Sequence, residues 1–225
     1  MQGYTLEDVK NWGKLVAAVL TSLPPQKTDA ICIFDRNDLQ LELLSCAADI
    51  YRSAFPFQPR ILINGRARYE ATETSWGCAE WRRILEGDVC GVPKGHVLTI
   101  PPAEHSGEEA ESFVGLCHER GWKSVTVAAP PYYLPRCFLN MLGVMRARGV
   151  ELQLHCLTVP QIKWEEYATK HAVKGGVVVK GMRFEHLDDE LERILTYRAA
   201  YLKHDPGISP IASIEEGVEY LKVRR

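Results

Sequence analysis

The sequence predicts an α/β fold, a three-layer sandwich in which helices cover both faces of a mostly parallel sheet of about five strands. Three observations carry this prediction. Short apolar runs recur along the first 160 residues, a segment of helical periodicity follows each run, and most runs end in a polar turn. Strands that alternate with helices in this way need crossover connections, which make neighbouring strands parallel.

The elements can be placed in order along the chain. A helix is predicted over residues 5–22, because Thr5 is a suitable N-cap residue and Pro24-Pro25 stops the apolar periodicity. Strands are predicted at residues 30–34, 60–63, 96–100, 124–129 and 151–157. The helices between them are predicted at residues 39–54, 76–85, 106–120 and 132–148. The strands are short and largely apolar, as expected when both faces of a sheet are covered.

The pattern changes beyond residue 160. Residues 164–172 are compatible with a helix or a loop, Gly175-Gly176 with a turn, and residues 177–179 with an edge strand. Amphipathic periodicity predicts a helix over residues 187–202, and a terminal helix follows at 213–223. We therefore expect a single domain over residues 1–225. Its α/β core spans about 29–160, and a helical segment at 161–225 packs on it beside the N-terminal helix.

The composition is that of an ordinary globular protein. The chain has 225 residues, a formal net charge of −2 and 46% hydrophobic residues. A chain without a basic excess lacks the field that draws proteins to phosphate backbones, so nucleic-acid binding is not expected. The N-terminus does not resemble a signal peptide, and no uncharged apolar run reaches the roughly 18 residues of a spanning helix. We expect a protein without a transmembrane segment.

The cysteines and histidines carry little functional signal. Seven cysteines are scattered without a C-x-x-C pair, which favours reduced thiols and a cytoplasmic location over a disulfide framework. The seven histidines lack the spacing of a metal site, and no structural metal is predicted. Signatures of common hydrolase, NTPase and dinucleotide sites are also missing from the sequence. The oligomeric state is left open.

Polar turns follow four of the predicted strands, and they indicate where a ligand binds. In an open parallel sheet, ligands bind beyond the carboxyl ends of the strands. The turns are residues 35–37, 64–68, 101–109 and 130–136. Each leads towards the start of a helix, where free N–H groups and the helix dipole favour anions. Arg66, Arg68 and Arg136 add positive charge, so we expect a small molecule with a phosphate or carboxylate group.

The side chains at these turns give the candidate site. The candidate ligand-binding residues are Asp35, Asn64, Gly65, Glu80, Ser106, Glu108 and Arg136. Arg136 is the most informative, because the dipole in a first helical turn favours acids and does not explain an arginine there. No catalytic residue is assigned. His105 is a candidate acid or base, although a lone loop histidine is more often neither.

Several of these residues have a purely structural alternative. The sequence from Ser106 to Glu109 matches an S-x-x-E capping box, in which both residues only start a helix. Asp35 is equally suited to cap the helix that follows it. Glu80 fits a solvated helix face. These alternatives are left open by the sequence.

Seven short motifs follow one another between about residues 29 and 200. They are residues 29–35, 61–65, Ala79-Glu80, Gly91-Val92-Pro93, 105–110, 127–136 and 190–197. In this order they resemble the YdcF/SanA/ElyC-like family, a bacterial family with a Rossmann-like α/β domain. The resemblance implies envelope-related roles, as in some members, and S-adenosylmethionine or nucleotide binding, as in others. Gly65, Glu80, Glu108 and Arg136 match the family pattern unchanged.

The chain departs from that pattern elsewhere. Asp35, Arg36 and Asn37 stand where the family has glycines, which narrows the approach of the backbone to a ligand. Tyr133 stands where the family has a histidine. Further departures are Ile100 for an acid, His105-Ser106 for Asn-Thr, Glu109 for Asn and Ala129-Pro130 for Thr-Ser. Because tyrosine does not titrate near neutral pH, acid–base chemistry at Tyr133 should be poor or different.

Two functional hypotheses follow. The first is a domain that binds a small anionic ligand at the carboxyl edge of the sheet, with a phosphate, nucleotide or S-adenosylmethionine-like group. Its reaction, transferase or hydrolase, is left open. The second is a catalytically silent, divergent family member that acts through protein partners, in envelope-related processes as the resemblance implies.

Overall fold

A computed structural model describes residues 5–22, 27–34, 38–67, 76–160, 162–171, 178–205 and 207–223. Its centre is a five-stranded sheet in the order β3-β2-β1-β4-β5. The strands are β1 (Ala30–Ile33), β2 (Arg60–Asn64), β3 (Val97–Ile100), β4 (Ser124–Ala128) and β5 (Gln153–Leu157). Every pair is parallel, with Cys32 opposite Leu62 on one side and Val127 on the other. The predicted α/β class is confirmed.

Helices cover both faces of this sheet, as expected for a Rossmann-like sandwich. Those described are α1 (Leu6–Leu20), α2 (Gln40–Ser53), α3 (Cys78–Glu86), α4 (Ser106–Glu119), α5 (Leu134–Arg148), α6 (Arg183–Leu202) and α7 (Ile214–Lys222). Alternate residues of β1 enter two separate cores. Ile31 and Ile33 pack with α2 and α3, whereas Ala30, Cys32 and Phe34 pack with the α1, α4, α5 and α7 side. This division explains why β1 is apolar at every position.

The strand order reverses beside β1. The chain runs outward from β1 through β2 to β3 and then returns to β4 on the other side. The carboxyl ends of β1 and β4 therefore flank the switch point, where ligands bind in open α/β sheets. After β4, a short turn leads to α5 at Leu134, and the Tyr133 N–H donates to the Pro130 carbonyl at 2.9 Å. Residues 35–37, which follow β1 in the chain and were predicted as a polar turn, lie outside the described residues.

The C-terminal region differs from the sequence prediction. Residues 164–172 were expected as a helix or loop and 177–179 as an edge strand, but β6 (Tyr167–His171) and β7 (Val178–Met182) form a separate two-stranded antiparallel sheet. The strand expected at 177–179 overlaps β7, but it pairs with β6 and does not form an edge of the main sheet, and residues 167–171 form a strand where a helix or loop was expected. The turn predicted at Gly175-Gly176 lies outside the described residues. Two strands that pair with each other satisfy part of their backbone hydrogen bonding without joining the main sheet.

The terminal helices α1 and α7 pack together. Thr5 caps α1 through a capping box with Asp8. A Cβ atom at Gly217 of α7 would lie 2.6 Å from Leu139 of α5 and 3.1 Å from Leu15 of α1, so α7 fits closely against both helices.

Within the described ranges, no helix has the length and apolar character needed to cross a bilayer.

Candidate functional site

A pocket of about 140 Å³ lies where the first turns of α4 and α5 meet α6 and the segment after it. Its lining residues are His105, Ser106, Gly107, Arg136, Asn140, Tyr197, Gly207, Ile208 and Ser209. Two of the predicted site residues, Ser106 and Arg136, therefore line one pocket. Among these described lining residues there is one permanent cation and no carboxylate. The lining favours an anion over a cation.

Arg136 is placed by the turn after β4. The α5 helix begins at Leu134 with a proline in its first turn, which has the fixed φ that a helix start requires. Arg136 follows in that turn and is only 5% exposed. Its guanidinium carbon lies 4.7 Å from the centre of the Tyr133 ring and 5.7 Å from that of Tyr197. The charge is thus held between two aromatic rings inside the protein.

Glu190 of α6 balances this charge. The Arg136 Nη2 donates to Glu190 Oε1 at 3.3 Å, and Nε forms an ion pair with Oε2. Burial opposes the charge of the guanidinium, but Glu190 outweighs this effect, with smaller contributions from Tyr133 and Tyr197, and raises the pKa of Arg136 above its usual value. The contacts with Glu190 use Nε and Nη2, and no described contact uses Nη1. Arg136 is a fixed cation with one nitrogen left for a ligand.

The α6 helix is held over the sheet edge by its first turns. Arg183 forms a bidentate pair with Asp38, with both N–O distances at 2.9 Å. His186 packs against the Tyr132 ring at a centroid distance of 5.3 Å. These contacts fix the position of Glu190, which Arg193 also contacts at 3.3 Å.

Ser106 and Asn140 connect the two helices at the pocket. Asn140 Nδ2 donates to Ser106 Oγ at 2.9 Å, and both side chains are buried. Asn140 was not among the predicted site residues, although the sequence carries a signal for it. It follows Arg136 by four residues in a predicted helix, so both lie on one helix face.

The α4 helix begins at Ser106, as predicted, and the structure decides between the alternatives for its cap. The capping box of Ser106 and Glu109 is not formed, because His105 is the N-cap residue and its Nδ1 accepts from the Glu108 N–H at 3.3 Å. A ring nitrogen reaches the same amide that a hydroxyl would, which leaves the Ser106 side chain for the pocket. His105 Nε2 lies 3.5 Å from Glu108 Oε1. His105 lines the pocket, and both of its ring nitrogens lie near Glu108, so its described contacts are those of a helix cap.

Asn64 and Gly65 lie in a different cluster. Asn64 Nδ2 donates to the Ala103 carbonyl at 2.9 Å and to Glu109 at 3.2 Å, and Oδ1 accepts from the N–H groups of Ala103 and Arg66 at 3.0 and 3.1 Å. Both amide hydrogens and both lone pairs are used. A Cβ atom at Gly65 would overlap the Ile100 carbonyl. These two residues join the end of β2 to the segment after β3 and do not line the pocket.

The remaining predicted site residues lie apart from the pocket. Glu80 is on the outer face of α3 and pairs with Arg83 at 2.6 Å, a hydrogen bond that lowers the pKa of Glu80. Glu108 accepts from the Glu104 N–H at 2.6 Å and lines an open groove of about 670 Å³ beside α4. Asp35 and Arg68 lie outside the described residues.

Residues of the motif at 190–197 lie beside Arg136. Glu190 contacts Arg136 and Arg193, and Tyr197 lines the pocket. No role could be assigned to these residues from the sequence, because they are separated from Arg136 by more than 50 positions. In the part of the chain that the structure describes, no three His, Cys, Asp or Glu side chains are grouped as metal ligands. No protein-family model matches the chain, and no curated protein matches it.

Proposed function

We propose that this protein binds a small anionic molecule in the pocket between α4, α5 and α6. The lining carries the proposal. A buried guanidinium, two serine residues and the first turn of α4 surround one space, and the described lining contains no carboxylate. Guanidinium groups and helix N-termini both favour phosphate and carboxylate groups.

Glu190 supports binding by orienting Arg136. It holds the Nε and Nη2 edge of the guanidinium and leaves Nη1 as the donor for a ligand. A buried arginine that is held in this way loses little side-chain entropy when it binds an anion. The proposed ligand carries a phosphate or carboxylate group, and a nucleotide or S-adenosylmethionine is the choice that the family resemblance implies. The reaction, transfer or hydrolysis, is left open.

A ligand-induced shift of the melting temperature tests this function. Phosphate, AMP and S-adenosylmethionine would be added separately to the full chain. A ligand at 100 times its Kd stabilises by about 2.7 kcal/mol, which for a domain of this size corresponds to roughly 5–10 °C. Arg136→Gln should abolish the shift. Arg148→Gln is the matched control, because it removes one positive charge from a half-exposed pair with Glu111 outside the pocket.

The outcome separates this function from a second candidate. A catalytically silent protein that acts through protein partners is favoured by the pairing of Arg136 with Glu190 and by Tyr133, which replaces the family's histidine. If Arg136→Gln does not fold, Ser106→Ala is the second variant, and it should weaken the same shift. An equal shift in all variants, or no shift with any anion, would reject ligand binding in this pocket and favour the silent protein.

A further inference from the structure

The volume of the pocket and the segment after α6 that lines it restrict the chemical class of the ligand. Resting on the proposed function, we infer that the pocket takes a single tetrahedral oxyanion group, either inorganic phosphate or the phosphoryl group of a monoester. We further infer that Ser209 closes the pocket over this group. Ser209 belongs to the α6–α7 connector, defined here as residues 203–213 without Pro206, which lies outside the described residues.

The volume favours a small group over a whole cofactor. The pocket has about 140 Å³ and is partly open to solvent. Pockets that enclose complete small molecules measure roughly 300–1,000 Å³. A phosphate group has five heavy atoms and fits, whereas the base and sugar of a nucleotide do not. Any larger part of the ligand must therefore lie outside this pocket.

The donors around the pocket match a group with several acceptor oxygens. Arg136 offers Nη1, and Ser106 offers its hydroxyl hydrogen because its oxygen already accepts from Asn140. Ser209 adds a second hydroxyl to the lining. Tetrahedral oxyanions accept hydrogen bonds from several directions, and charge-assisted bonds to guanidinium are the strongest of these. The number and spread of donors favour phosphate over a flat carboxylate.

A glycine sets how closely the connector approaches α4. A Cβ atom at Gly107 would lie 2.6 Å from the Ser209 Cβ and 2.8 Å from its Oγ, distances that real side chains do not tolerate. The connector is fixed further along by the Ala212 N–H, which donates to the Leu139 carbonyl at 3.0 Å. A Cβ atom at Gly143 would meet the same connector backbone at 2.6 Å. Two glycines thus hold Ser209 at the pocket wall.

Calorimetric titration of the full chain tests the inference with three probes. They are inorganic phosphate, glycerol 3-phosphate as a small monoester, and S-adenosylmethionine, which has a carboxylate but no phosphoryl group. Phosphate or the monoester should bind, and the tighter of the two identifies the source of the phosphoryl group. Ser209→Ala should raise the Kd of that probe about tenfold. Gly107→Ala should raise it further, because the added methyl group displaces the connector.

Two controls keep the result interpretable. Gly115→Ala adds a methyl group to the same helix, where the contact within 4 Å is the flexible end of Arg148, and should leave the Kd unchanged. Gly107→Ala combined with Ser209→Gly removes the conflict with the Ser209 side chain and leaves a contact of 3.1 Å with His105 Nδ1, so it should restore most of the melting temperature without restoring affinity. Comparing Gly107→Ala with the double variant separates the contribution of the Ser209 hydroxyl to affinity from the effect of the connector on the melting temperature.

Each of the remaining outcomes would reject a specific part of the inference or of the proposed function. Phosphate binding that depends on Arg136 but not on Ser209 would reject the role of the connector. Binding of S-adenosylmethionine that depends on Arg136 and is tighter than that of both phosphate probes would reject the size limit, while the proposed function would stand. Failure of all three probes to bind would reject the phosphoryl inference, and the proposed function would be rejected with it if AMP also gave no shift of the melting temperature.

Discussion

Two buried polar clusters lie at the start of α4, and they differ in how much of their hydrogen-bonding capacity is used. In the Asn64 cluster, the carboxamide makes four hydrogen bonds within the protein. In the pocket, Arg136 has a nitrogen without a described contact, and Ser106 has a hydroxyl hydrogen available. Ser106 of α4 belongs to the pocket, and Glu109, three residues later on the same helix, belongs to the Asn64 cluster.

This difference distinguishes a polar cluster that only stabilises the fold from one that can bind a ligand. Buried polar groups are costly unless they are paired, so a fully paired side chain has no capacity left for a ligand. A polar residue at a strand end is therefore not evidence of binding until its partners are known. The difference between the clusters can be tested by removing side chains from each one and measuring stability and anion binding separately.

The largest loss of stability is expected from Glu190→Leu. This change takes the carboxylate away from both Arg136 and Arg193 and leaves buried positive charge. Breaking a buried ion pair from one side costs about 3–5 kcal/mol. Arg136→Met should cost less, because Glu190 keeps its contact with Arg193. Urea denaturation of both variants measures the two losses, and a larger loss for Arg136→Met would contradict this account of the cluster.

Asn64→Ala should cost somewhat less, about 2–3 kcal/mol. Four hydrogen bonds disappear, each with a net contribution of about 1 kcal/mol, and alternative partners recover part of the loss. The anion response should persist, because Asn64 does not line the pocket. The test is urea denaturation together with the melting-temperature shift in phosphate. Loss of the shift in a folded Asn64→Ala protein would place Asn64 in the site after all.

Asn140→Ala should have the opposite effects, a small loss of stability and a clear loss of anion binding. Its described side-chain bond is the one to Ser106 at 2.9 Å, so the expected cost is only about 1 kcal/mol. Anion binding should nevertheless weaken severalfold, because the Ser106 hydroxyl loses its orientation. Calorimetric titration measures this effect, and unchanged affinity would show that Ser106 does not contribute to binding.

The sequence predicted the sheet well because each strand carries its own local signal. β1 is apolar at every position, and the helices between strands have clear periodicity, so no distant contact was needed to find them. Arg136 was identified for a local reason as well, its conflict with the helix dipole. Glu190 and Ser209 were not identified, because their roles come from contacts with residues more than 50 positions away. Periodicity describes one element at a time and does not show which elements meet.

The smallest effect is expected at Glu80, which was predicted as a site residue but pairs with Arg83 on the surface of α3. Exposed ion pairs of this kind contribute little, because water and salt screen both charges. Glu80→Gln should therefore change neither the urea midpoint nor the phosphate Kd. Reduced affinity without reduced stability would mean that the ligand extends from the pocket to α3, and the binding site would then be larger than the space beside Arg136.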